Sequence, residues 1–400
     1  MPATFLQILF WTGVFFVFYT YIGYGMFLYI AIKIKAFLKK EKHYPSFSEL
    51  PEVTLVIAAY NEEDIVDLKM KNCKALKYPP GRLHFLWITD GSTDRTDEKL
   101  AAYPEATVCH QPERKGKTAA LNRGMQFVKT PFTVFTDANT MLNEEAILEI
   151  MAPFSNPKVG CVAGEKRIMV HEKDNASAGG EGFYWKYESK LKAWDSRLYS
   201  AVGAAGELYA IRTGLFEKLP EDTLLDDFML SMKIAFQGYK IAYCDTAYAL
   251  EDSSADMHNE EKRKIRIAAG GLQSIRRLRP HLLSNPFHLA TLKFQYLSHR
   301  VLRWSVTPVL LFLLFPLNLL LTVYPAFSPF YCTILILQAL FYLLASLGYR
   351  MQKKHIRIKL LFIPYYFLFM NLNVLKAFGY LRKNKGNGAW EKAQRKTAIA

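Results

Sequence analysis

Charged side chains are absent from residues 1–32 and again from residues 305–349, while the region between consists of short apolar runs that end in acids and amides. One bilayer crossing takes about 20 apolar residues, so the first charge-free stretch has room for one span and the second for two. Tyr324-Pro325-Ala326-Phe327-Ser328-Pro329 supplies a turn between those two. A further apolar stretch, 360–375, is 16 residues long and lies between Lys359 and Lys376. It carries Asn371 and Asn373, which fits a short span, a re-entrant segment or an interfacial helix. Residues 287–304 suit a helix lying along the membrane interface.

The middle of the chain alternates two periods. Residues 53–59 form a β-branched apolar run, and 62–76 space Ile65, Leu68, Cys73 and Leu76 at helical intervals. Strands are predicted again over 83–89, 107–110 and 132–136, with helices over 93–103 and 118–128 between them. Such alternation predicts an α/β fold: a mostly parallel, Rossmann-like sheet with helices on both faces. Ligands of these sheets bind beyond the carboxyl ends of the strands. Three polar motifs fall at those ends: Tyr60-Asn61-Glu62-Glu63, Asp90-Gly91-Ser92-Thr93-Asp94 and Asp137-Ala138-Asn139. Downstream, an aromatic amphipathic stretch covers 178–198, Asp226-Asp227-Phe228 opens a helical stretch, and 259–278 reads as a strongly basic helix.

Charge bears on orientation more than on partners. The net charge of +15 is concentrated beside the apolar stretches, as in membrane-flanking lysines, and no nucleic-acid recognition motif accompanies it. Lys33, Lys35, Lys39, Lys40 and Lys42 follow the first span, so the positive-inside rule predicts an external N-terminus and a cytosolic region from residue 43 to about 290. Two C-terminal spans would return Arg382, Lys383, Lys385, Lys392, Arg395 and Lys396 to the cytosol. The expected organisation is a span and basic flank (1–42), a cytosolic domain (43–285), an interfacial helix (286–304) and a C-terminal membrane region (305–400). The five cysteines have no paired spacing, which argues against a disulfide framework or zinc site and fits a reducing compartment. The sequon at 175–177 is then cytosolic.

The ordered motifs, together with Lys115-Gly116-Lys117, Asp226-Asp227 and Arg263-Lys264-Ile265-Arg266, resemble the membrane-bound family-2 glycosyltransferases of GT-A fold, which include cellulose, chitin and hyaluronan synthases. The resemblance covers about residues 50–275. It implies that Glu62 and Asp90, with Tyr60 nearby, hold the nucleoside, and that Lys117, Arg263 and Arg266 meet the diphosphate. Asp137 and Asn139 occupy the place of an Asp-x-Asp metal motif for Mg²⁺ or Mn²⁺, with a neutral amide where the family carries its second acid. Asp227 matches the base that takes the proton of the acceptor hydroxyl. Ile267 stands where processive members carry a stacking Trp, which leans towards short transfer. Lys115-Gly116-Lys117-Thr118 is not a P-loop, because Gln111 replaces the required glycine. Asp94 suits a turn or helix start as well as a site.

The resemblance therefore implies an inverting glycosyltransferase that uses a UDP-sugar and a carbohydrate or lipid-linked acceptor at the cytosolic face of the lipid bilayer. Polyprenyl-phosphate transfer and a non-catalytic nucleotide-binding scaffold are the alternatives.

Overall fold

A computed structural model describes residues 3–38, 44–169, 178–252, 257–285, 287–353 and 358–383. Lys39, Lys40, Lys42, the sequon, Lys385, Lys392, Arg395 and Lys396 lie outside the described residues.

Eight strands form one sheet: β1 (Val53–Ala59), β2 (Leu83–Asp90), β3 (Ala106–Gln111), β4 (Phe132–Asp137), β5 (Met141–Leu142), β6 (Val159–Met169), β7 (Leu208–Arg212) and β8 (Lys240–Asp252). Their order is β3-β2-β1-β4-β7-β6-β8-β5. The first four are mutually parallel, as the β/α alternation predicts. Beyond them the sheet is mixed, because β7 runs antiparallel to both β4 and β6. Every residue of β1 is buried. Val56 and Ala58 enter one core cluster, while Val53, Leu55, Ile57 and Ala59 enter the other. That split follows from the two-residue period of a strand covered on both faces.

The helices are α1 (Ala3–Phe18), α2 (Tyr24–Leu38), α3 (Val66–Lys74), α4 (Thr96–Ala101), α5 (Lys117–Gly124), α6 (Ala146–Met151), α7 (Ala178–Leu198), α8 (Asp226–Phe236), α9 (Met257–Leu283), α10 (Ala290–Tyr296), α11 (Thr307–Val323), α12 (Pro329–Lys353) and α13 (Lys359–Lys383). One face of the sheet packs on α3, α4 and α6 through Met70, Leu100 and Ile150. The other packs on α5 and α8 through Leu121 and Met232, with Tyr296 of α10 closing the cluster.

Among the described residues, four stretches are long and apolar enough to cross a membrane: Ala3–Leu38, Ala290–Val323, Pro329–Lys353 and Leu360–Lys383. Residues 290–306 run without a break into α11, through a ten-residue π-helical segment, Leu297–Val306. The 16-residue apolar stretch 360–375 lies within a longer helix, α13, of 25 residues, which continues past Lys376. The Lys376 ammonium pairs with Glu261 of α9. Val374 and Ala377 of α13 pack with Ala268 and Ala269 of α9, so the second half of α13 rests on the α/β domain.

The π segment carries His299, Arg300 and Arg303 into the protein rather than outwards. Arg303 donates to Glu188 of α7 at 2.5 Å, Arg300 lies 2.6 Å from the same carboxylate, and His299 lies 2.5 Å from Asp195. Tyr24 of α2 also donates to Asp195. This buried network fastens α2, α7 and the π segment together. The arginines hold the Glu188 carboxyl well below its ordinary range against the opposing effect of burial.

Candidate active site

The strand ends build the site. Asn61 adopts a left-handed backbone (φ 54°) at the end of β1, a conformation Asn tolerates. Its side-chain oxygen accepts the Thr93 amide at 2.7 Å, which ties the first motif to the second. Asp94 accepts from Thr96 and from the Glu63 amide, so it shapes the turn. Glu62 is buried beneath this turn, its amide donating to Thr96 Oγ1 at 2.8 Å. The Arg114 guanidinium lies 3.8 Å from the Tyr60 ring centroid.

Asp90 at the end of β2 accepts the Gly116 amide at 2.6 Å and the Lys115 amide at 3.1 Å. Gly116 sits at φ 92°, which only glycine adopts without strain, and the next residue opens α5. Lys117 thereby reaches across β1 to β4, where its ammonium donates to Asp137 Oδ1 at 2.6 Å. Asp90 and Asp137 are thus joined through one short loop, although Asp90 does not itself line the main cleft.

That cleft is lined by Lys117, Asp137, Glu207, Asp227, Arg263 and Arg266, among others. The bare Cα of Gly206 lets Lys117 and Asp227 close in. A methyl group there would lie 3.3 Å from the Lys117 ammonium and 3.4 Å from Asp227 Oδ2. Asp226 and Asp227 are the first residues of α8, where a helix N-terminus favours negative charge. Asp227 Oδ1 accepts the Phe228 amide at 2.7 Å. Asp226 Oδ2 is buried with no hydrogen-bond partner among the described residues.

The electrostatics sort these groups. Burial raises the Asp227 carboxyl to about 7, with the charge of Asp226 adding to the shift and Lys117 opposing it. Burial also raises Asp137, against the pull of Lys117 and with help from Glu207. For Lys117, burial disfavours the charge, but Asp137, Asp226 and Asp227 outweigh it and hold the proton on. A carboxyl titrating near neutrality is suited to accept a proton at physiological pH.

Tyr60, Glu62 and Asp90 are grouped one and two strands away from the cleft, around the ends of β1 and β2. Asn139 follows β4, its amide nitrogen 3.5 Å from Glu251. Arg263 lies 3.2 Å from Glu251, and Arg266 lines the cleft beside it on α9. The sequence reading missed two supports. Lys166 of β6 is buried and bonds to both Glu207 and Glu251. Lys69 of α3, fully buried, donates to the Thr140 carbonyl at 2.5 Å and holds the turn that carries Asp137 and Asn139. A lysine at a core-facing helical position, between Val66 and Cys73, was the available signal for Lys69.

Residues 54–219 match the glycosyl transferase family 2 model. The chain carries a family-2 glycosyltransferase domain. It is 27% identical to the poly-beta-1,6-N-acetyl-D-glucosamine synthase of Staphylococcus aureus over 67% of this chain and 65% of that one. The chain thus spans slightly under two thirds of that relative. It is 26% identical to the synthase of the same name from Staphylococcus epidermidis over 93% of this chain and 94% of that one. Among solved structures, the mannosyltransferase PcManGT from Pyrobaculum calidifontis, in complex with GDP-Man and Mn²⁺, superposes with a TM-score of 0.72. At 19% identity, covering 96% of this chain and 100% of that one, the likeness is one of fold. The chain therefore joins a GT-A-like domain, matched by the family-2 model, to long apolar helices.

Proposed function

We propose that the enzyme transfers a sugar from a nucleotide-sugar, a UDP-sugar in our reading, to an acceptor hydroxyl with inversion at the anomeric carbon. The observation that carries this reading is the convergence of Lys117, Asp137 and Asp227 around Gly206 in one cleft. The acceptor oxygen attacks the anomeric carbon, its proton passes to Asp227, and the bond to the diphosphate oxygen breaks with its electron pair on the leaving nucleotide. Lys117, Arg263 and Arg266 supply positive charge for that diphosphate. Asp90 accepts two backbone amides yet keeps lone pairs for ribose, since a carboxylate has about four acceptor sites. Glu62 and Tyr60 border the same nucleoside side.

Among the described residues, no group of three His, Cys, Asp or Glu is disposed to hold a metal. The oxygen donors of Asp137 and Asn139 nonetheless fit Mg²⁺ or Mn²⁺, hard cations that take part of their coordination from substrate phosphates and water. Asp137 and Asn139 would hold such an ion, which would supply positive charge for the diphosphate. A chelator should stop nucleotide release by the purified enzyme, and added Mg²⁺ or Mn²⁺ should restore it. Activity that survives thorough metal removal would rule out the metal role of Asp137 and Asn139.

The acid limb of kcat/KM should follow Asp227. The free carboxylate is the active form, so activity should rise with pH through about 7 and then level. A limb at about 4, the ordinary aspartate range, would contradict Asp227 as the base.

The membrane arrangement belongs to the same reading. The domain at 43–285 lies on the cytosolic face, with the N-terminus outside, α11 and α12 as the C-terminal spans, and α13 returning to the domain. A carbohydrate or lipid-linked acceptor would then be met at the bilayer surface.

A further inference from the structure

A second chamber adjoins the cleft, between α9 and α13. Its walls are mainly apolar and aromatic, with Ala268, Tyr366, Phe367 and Val374 among them. Lys264, Ile267, Trp304 and Met370 line both this chamber and the cleft that holds Asp227, so the two spaces share a wall. Trp304 stands in that wall. Its ring packs edge-on against Phe228, next to Asp227, with centroids 5.0 Å apart. Ile363 also lines the chamber, and it is 50% exposed on α13, an apolar helix long enough to cross a membrane. In the membrane arrangement proposed above, an opening beside Ile363 would face lipid.

Polarity differs between the two spaces. The carboxylates Asp137, Glu207, Asp226 and Asp227 line the cleft, Lys264 lines both spaces, and Ile363 and Phe367 line the chamber alone. An apolar chain gains by leaving water for such a space, whereas a hydroxyl would remain among polar groups. α1, α11 and α12 close on one another through Phe10, Leu314, Leu321 and Tyr331.

We propose that this chamber is the acceptor site, and that the acceptor is a membrane lipid bearing a free headgroup hydroxyl. Its chain lies between α9 and α13 and its hydroxyl reaches Asp227. This rests on the transferase reading above and specifies its substrate class. In the transfer, the lipid hydroxyl oxygen bonds to the anomeric carbon, its proton goes to Asp227, and the nucleoside diphosphate departs with the electron pair of the broken bond. A lipid phosphate, already ionised at neutral pH, would not need that base.

The test reads occupancy, so it does not depend on turnover. The full chain, reconstituted in phosphatidylcholine vesicles, is irradiated with a diazirine-bearing diacylglycerol, and the labelled peptides are mapped. Label is expected on the segments around Ile267 and Phe367, with loss of that label on adding unlabelled diacylglycerol. Ile363→Trp at the mouth, where a larger side chain is tolerated, and Ala268→Trp inside should each remove it. Label confined to the outer faces of α1 and α12 would overturn the proposal. So would equal labelling of both variants, displacement by a soluble N-acetylglucosamine oligomer, or preferential labelling by a polyprenyl phosphate probe. Labelling as expected without any nucleotide release would leave the lipid site standing and sink the transferase reading instead.

Discussion

Asp227→Asn should lose sugar transfer while keeping the donor. The amide is isosteric with the carboxyl but cannot take the acceptor proton, and positioned general bases contribute about 10²–10⁴-fold in rate. Donor binding should change little, because the cations that meet the diphosphate, Lys117, Arg263 and Arg266, are untouched. The substitution also removes one of the negative charges that hold the Lys117 proton, but Asp137 still pairs with that ammonium at 2.6 Å. Nucleotide release and donor titration on the same preparation read both quantities. Turnover equal to the parent enzyme would refute the role of Asp227, and loss of both turnover and binding would show that Asp227 serves structure instead.

Lys166→Met should cost more stability than any other single change considered above. Lys166 is 5% exposed, and its ammonium serves two carboxylates, Glu207 and Glu251. Those partners raise its proton affinity despite burial, and it in turn lowers the Glu207 carboxyl below its ordinary value against burial. Methionine fills the space but leaves Glu207 without its cation, while Glu251 retains Arg263. Removing one partner of a buried pair costs about 3–5 kcal/mol. Denaturation of the detergent-solubilised protein should show the loss. Adding Glu207→Gln should recover part of it, since the amide carries no charge to neutralise. An unchanged midpoint in Lys166→Met would mean that water already screens this cluster.

The sequence revealed most where a local pattern has a local cause. Residues 53–59 and 132–136 are strands by β-branched content alone, and their polar ends are visible as motifs because ligands gather at strand ends. Asp137 stood out as a strand-end acid, and Lys117, Asp227, Arg263 and Arg266 through the family resemblance; the structure lines one cleft with all five. Asp90 was legible as a strand-end acid, but its bonds to the Lys115 and Gly116 amides were not. The reversed strand β7 was hidden because its direction is set by long-range pairing with β4 and β6. The Lys166–Glu207–Glu251 cluster was hidden for a similar reason, since its charges come from three separate strands or their approaches. Lys376 bounds the uncharged stretch in the sequence, but its pairing with Glu261 of α9 was not legible there. The polar residues of the π segment could be read as interfacial, whereas burial against Glu188 and Asp195 accounts for them.

The most direct test of the central claim, that one cleft holds both the donor and the base, is nucleotide release by the purified full chain. The protein would be assayed with a panel of UDP- and GDP-sugars, Mg²⁺ or Mn²⁺, and native membrane extract as acceptor. Our account predicts release from at least one donor, dependent on the extract and abolished in Asp227→Asn. Donor binding without release from any member of the panel, under conditions in which the protein remains folded, would contradict it.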